Sequence, residues 1–240
     1  MAFSWFRRRR LPFDAPRLRP RRERKPGISA DLAEIAPELL PFLGQAACVQ
    51  LGAFERLSRL VAEVPGYAAK EAIGQAASHA LARHQRIVAE LKRLDADPDM
   101  EMQPFAGPVA DFQAVTRGND WAEGVLGAHL CGGLLDDFFA ALAAGVRADG
   151  IRDLPALFAT DPDDGQALDA LLQAQLAEDD RLGSRLAMWG RRLVGDTLLI
   201  ARSTLRFSGD TDSDEAHTEA LFAGIIAAHT RRMDALGLTA

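Results

Sequence analysis

The chain has 240 residues, 48% of them apolar and 7% aromatic, with a formal charge of −6 and two cysteines. That composition supports one sizeable core. No apolar run approaches the ~18 residues needed to cross a bilayer, and the opening Met-Ala-Phe-Ser-Trp-Phe leads into arginines rather than a signal-peptide apolar stretch, so the sequence predicts a cytoplasmic protein without a transmembrane segment.

The charge is divided unevenly. Residues 1–28 hold ten basic side chains against Asp14 and Glu23, a balance of +8, which leaves −14 on the remainder. Pro12, Pro16, Pro20 and Pro26 remove backbone donors there, so 1–28 reads as a flexible basic arm joined to a helical domain at 29–240. Arg7, Arg8, Arg9, Arg10, Arg21 and Arg22 are the candidate contacts to an anionic partner. Beside Trp5 and Phe6 they could neutralise phosphates and stack on RNA bases, or sit on anionic membrane headgroups. The arm's charge also suits the acidic domain behind it.

From Ser29 onward apolar residues recur at three and four, the period of a helix. Ser29 can cap a first helix running to about Val64, bent by Pro37 and Pro41, with Leu43, Ala47, Gln50, Phe54, Leu57 and Val61 on one face. A second spans about Tyr67 to Leu94. Its core stripe is read as Ile73, Ala77, Leu81, His84, Val88 and Leu91, with His79, Arg83, Arg86 and Glu90 opposite. Pro98, Pro104 and Pro108 then suggest a long loop before a third helix, capped by Asn119 or Asp120 and running from about Trp121 to Val146. Leu154 to Glu178 reads as a short helix, a break at Asp161-Pro162 and a further helix. Two long helices follow, near Leu182–Leu205 and Asp214–Leu236. No stretch alternates like a strand, so the fold class is all-α, a bundle. Cys48 and Cys131 match no zinc spacing and are expected to be reduced, buried hydrophobes.

Particular motifs point to a family. Gln50-Leu51-Gly52-Ala53-Phe54-Glu55-Arg56-Leu57, Asp120-Trp121, Asp137-Phe138, Arg185-Leu186-Ala187-Met188-Trp189 through Asp196, and His229-Thr230-Arg231-Arg232-Met233 together resemble the actinobacterial ferritin-like proteins grouped with the tRNA hydroxylase of methylthio-isopentenyl-adenosine, the MiaE-like family. The resemblance implies a ferritin-like four-helix bundle with additional C-terminal helices. Active members hold two irons, with a carboxylate from each of two helices and a Glu-x-x-His pair from each of the other two. Carried onto this chain, the first carboxylate falls on Gln50, the second-helix pair on Leu81 and His84, the third-helix carboxylate on Gly132, and the last pair near Thr160 to Asp163. Only His84 survives of that set, so no cofactor is expected, and Leu81 and Gly132 favour direct helix packing over a polar cavity.

Asp136 or Asp137 follows His129 within about two turns, and a remodelled alternative gathers Glu55, His84, His129 and Asp137 around one iron, which would support an oxygen-dependent hydroxylase of the tRNA-modification type. The plainer reading makes His84 a hydrogen-bonded core histidine, His229 structural, and His79 and His217 solvated. Arg191 and Arg192 beside Trp189 could form a phosphate notch, but Asp196 lies one turn from Arg192 and suggests a local ion pair. No phosphate loop, nucleophile elbow, Cys-His pair or zinc-protease helix is present. The leading expectation is therefore a non-catalytic binding or assembly module, with a homodimer left open by helix faces rich in Ala and Leu.

Overall fold

The protein is described by a computed structural model covering residues 32–159, 165–206 and 209–239. The arm with Arg7 to Arg10, Arg21 and Arg22, the capping residue Ser29, and the Thr160–Asp163 stretch lie outside the described residues. Among those described there are helices and no strands: α1 (Leu32–Ile35), α2 (Leu39–Glu63), α3 (Tyr67–Arg93), α4 (Pro98–Val115), α5 (Trp121–Ala143), α6 (Leu154–Leu157), α7 (Gln166–Glu178), α8 (Asp180–Arg202) and α9 (Thr211–Ala235).

Helices α2, α3, α7 and α5 close a ring in which each packs on the next. The link from α2 to α3 is a three-residue turn at Val64–Gly66, whereas α3 and α5 are joined by a long crossover that carries α4. One long crossover between two helix pairs is the ferritin-like arrangement. Helices α8 and α9 are the additional C-terminal elements, both packed on α5.

Proline explains both departures from the periodicity reading. The first helix is interrupted at Ala36–Glu38, because Pro37 lacks a donor and pushes Ala36 out of helical geometry. Pro41 is tolerated because it sits in the first turn of α2, where donors have no intrahelical acceptor anyway. The expected loop at 98–115 is instead α4. Pro98 opens it behind Asp97, whose side chain accepts from the Asp99 amide at 3.0 Å. Pro104 and Pro108 are exposed, so the carbonyls they leave unmatched, Met100 and Pro104, lie on the solvated side of the helix. The opposite side rests on α2 at Gly44, where a Cβ would be driven into the Glu101 backbone, 2.7 Å from its carbonyl carbon.

The N-terminus of α5 is tied to α8. Asp120 Oδ1 accepts from the Glu123 amide at 2.9 Å, while Glu123 Oε2 reaches back to accept from the Asn119 amide at 2.8 Å. Arg185 meets both acids, at 2.5 Å from Asp120 Oδ2 and 2.9 Å from Glu123 Oε1, and Trp189 Nε1 donates to the Glu123 carbonyl at 3.1 Å. Two of the motifs that carry the family resemblance therefore bind one another. Arg191 donates to the Thr239 carbonyl at 3.1 Å, and Arg192 lies 3.9 Å from Asp196 and 5.2 Å over the Trp189 ring. Both arginines are exposed, and Arg192 has the local acid that the ion-pair reading expects.

The expectation that no segment is apolar enough to span a membrane does not hold for α5, whose 23 residues pass by length and composition. It is the central helix of the bundle, with more than half of its apolar window buried against its neighbours. The core forms two clusters. One surrounds Phe42, Phe138, Phe139 and Phe158. The other gathers Leu60, Ile73, Leu126, Leu130, Leu172, Leu186 and Met233. Cys48 and Cys131 are free, buried thiols, and burial pushes both thiol pKa values upward.

Candidate functional site

Between the two clusters the packing opens into a cavity of about 160 Å³. Val49 and Leu135 of one cluster and Leu57, Ala80 and Cys131 of the other line it, and its polar groups come from several helices. Each arrives there for a local reason. Gln50 lies on the buried stripe of α2, six residues before Arg56. On α3, Arg83 falls between the buried Ala80 and Ile87, and on α5 Asp136 is one turn beyond Gly132.

Asp136 is the focus of the polar end. Its Oδ1 accepts from Gln50 Nε2 at 2.7 Å, and its Oδ2 lies 3.0 Å from Arg83 Nη1. Burial pushes the carboxyl above the usual carboxylate range, while Arg83 and Gln50 pull it back. Asp137 turns to α9 instead, accepting from Arg232 Nη1 at 2.8 Å. Gly133 makes room for that guanidinium, since a Cβ there would lie 2.6 Å from Arg232 Nε.

At the far end Arg56 is 8% exposed. Its Nη1 donates to Thr116 Oγ1 at 3.3 Å and its Nη2 to the Thr116 carbonyl that ends α4. Nε has no hydrogen-bond partner, and no acid pairs with the group among the described residues. Burial pulls its pKa below the ordinary arginine value.

The four residues of the remodelled metal site are not brought together. Glu55 is exposed on α2. His84 Nδ1 donates to the Ala47 carbonyl at 2.9 Å, the hydrogen-bonded core histidine of the plainer reading. His129 Nε2 lies 3.0 Å from Asp169 Oδ1 on α7, and Asp137 is engaged by Arg232. Among the described residues no three His, Cys, Asp or Glu side chains gather at metal-binding spacing.

Several sequence expectations are corrected here. His79 and Arg83, read as solvent-facing, line the cavity, because α3 touches both α2 and α7 and so buries a face wider than a single stripe. His217 is also not solvated. Its side chain is 13% exposed and Nδ1 lies 3.4 Å from Glu34. Gly132 does not serve close helix packing, since nothing lies within 4 Å of a Cβ added there and the residue borders open space. His229 is buried as expected, and burial, then Arg232 and His129, push its imidazole pKa down. The residues missed as site candidates are Arg83 and Arg56, while of the neighbours Asp136 and Asp137 it is Asp136 that binds Gln50 and Arg83. The spacing of Gly132 and Asp136 at i, i+4 was the available signal for preferring Asp136.

A ferritin-like ring raises the question of a di-iron centre at this level, and the residues do not fit one. Gln50 and Gly132 stand where the resemblance implies carboxylates, and Asp136, which does reach the cavity, is already paired with Arg83. Two dications there would face Arg56 and Arg83 with too little negative charge. The family model described as "Ferritin-like domain, actinomycetes" matches residues 36–213, which span the whole ring and α8. No curated protein matches the chain. With the closed ring, the crossover from α3 to α5 and that match in agreement, the chain belongs to the actinomycete ferritin-like domain family.

Proposed function

We propose that this protein is a non-catalytic ferritin-like binding module, in which the centre of the ring serves as a ligand pocket. The observation that carries this reading is the Gln50–Asp136–Arg83 group, one carboxylate, one guanidinium and one amide bound to each other where the resemblance implies a di-iron centre. Such a set offers no open coordination positions, and among the described residues no ligand cluster is present for the hydroxylase chemistry of the MiaE-like group. The cavity beside it is walled by apolar side chains with a few placed polar groups, the usual make-up of a small-molecule site. Protein purified after expression in iron-supplemented medium is expected to carry well under one iron per chain by elemental analysis. About two tightly bound irons per chain, the complement of a di-iron site, would overturn the reading.

The basic arm is assigned a separate role, contact with an anionic partner through Arg7 to Arg10, Arg21 and Arg22. Deleting residues 1–28 is expected to abolish retention on RNA or on anionic vesicles, with a steep salt dependence for RNA. Retention that survives the deletion would place the contact on the bundle.

A further inference from the structure

Among the described residues, the cavity wall carries one positive charge that has no acid beside it. Its lining includes Arg56, Arg83 and Arg232 against Asp136 and Asp137, and the pairs Arg83–Asp136 and Arg232–Asp137 leave Arg56 without an acid. A guanidinium keeps its proton even when buried, so the fold carries this charge rather than neutralising it. The carbonyl end of α4 at Thr116 offsets part of the cost through the helix dipole. It does not satisfy Nε. Space for the group is built into the backbone, since a Cβ on Gly127 would lie 2.5 Å from Arg56 Nη2. An arginine that needs a glycine on the facing helix, and then receives no acid, is poorly explained by packing alone.

The remainder of the wall limits what could bring the missing charge. Ala53, Leu57, Ala76, Ala80 and Phe112 give it an apolar face, which strips water from an inorganic ion without replacing it. The volume of about 160 Å³ is close to that of an engineered apolar cavity of ~150 Å³ that takes up benzene. Along α2 the cavity runs from Val49 to Leu57, about 12 Å of helix.

We propose that the cavity binds a small monocarboxylic acid, its apolar body the size of a single ring or a short chain and its carboxylate set against Arg56. This assignment rests on the reading of the ring centre as a ligand pocket. A carboxylate accepts charge-assisted hydrogen bonds from a guanidinium, and set against Arg56 it would bring the acid that the described wall lacks.

Titration calorimetry on the full chain tests it, with benzoate and hexanoate as probes and benzyl alcohol and 1-hexanol as their neutral counterparts. The acids are expected to bind roughly tenfold or more tightly than the alcohols, and Arg56→Gln to lose that advantage while alcohol binding is retained. Should Arg56→Gln fail to fold for want of its Thr116 contact, Gly132→Leu decides the question, because it fills the cavity and leaves Arg56 in place. That variant is expected to exclude acid and alcohol alike. Equal affinity for acid and alcohol, acid binding untouched by Arg56→Gln, or acid binding that persists in Gly132→Leu would each overturn the proposal. Absence of any acid binding would do so too. The iron content of the same preparation reports separately on the pocket reading, so a failed assignment of the acid is distinguishable from a failed assignment of the site.

Discussion

Replacing Arg83 by methionine is expected to destabilise the fold by about 3–5 kcal/mol at neutral pH, the cost of stranding a buried charge. Asp136 would keep its hydrogen bond from Gln50 but lose the Arg83 guanidinium 3.0 Å away. The effect should depend on pH in a defined sense. In the native protein the folded carboxyl already titrates above its unfolded value, chiefly because it is buried. Between the two values the folded state holds the extra proton, so stability falls as pH rises through that window and is level above it. Removing Arg83 takes away a pull toward lower pKa, so the folded value climbs further and the window extends upward. The deficit of the variant should therefore be small near pH ~4, where the unfolded carboxyl also protonates, and grow toward neutrality. Urea unfolding at several pH values measures this. Adding Asp136→Leu to Arg83→Met should restore most of the lost stability, as apolar replacement of a buried pair is commonly neutral. A single variant within ~0.5 kcal/mol of the parent would show the pair to be worth no more than a surface contact.

A loss of similar size, about 3–5 kcal/mol, is expected from Phe139→Ala, but with a different signature. Phe139 is buried where α2, α5 and α6 meet, 5.7 Å from Phe42 and 5.3 Å from Phe138 in edge-on contacts and 6.1 Å from Phe158 in a stacked one. Four rings that support each other cannot collapse into the space one of them leaves, so the cavity term adds to the lost transfer energy. None of the four lines the central cavity. The variant should show no dependence of its deficit on carboxylate titration and should bind benzoate as the parent does. A loss of about 1 kcal/mol or less would mean that the aromatic end repacks freely.

Where each element could be read from the sequence follows from the range of the forces that define it. Helices α3 and α8 were legible because apolar residues recur along them at helical spacing, and the Asp120 cap because it acts within three residues. Helix α4 was not, since Pro104 and Pro108 break helices only when the face they spoil is buried, and burial is decided by α2. The same holds within the site. Arg83 looks like a solvated residue on its own helix and becomes a core residue only because Asp136 waits on α5, 53 positions later. That Gln50 and Gly132 stand where the resemblance implies carboxylates could be read directly. What replaced them could not, because glycine is equally compatible with a close contact and with an opening, and only the distance to the facing helix chooses between them.

The polar layer between the two apolar clusters also constrains how the helices align along their axes. A bundle held by apolar contacts alone can slide by one turn, about 5.4 Å, and exchange one aliphatic contact for another at little cost. Here such a slide of α3 would carry His79 or Ile87 to the level of Asp136 and strand Arg83 among the alanines and leucines of the neighbouring turn. The ion pair thus works as a locating pin, setting the vertical register of the ring even where it adds little to its strength.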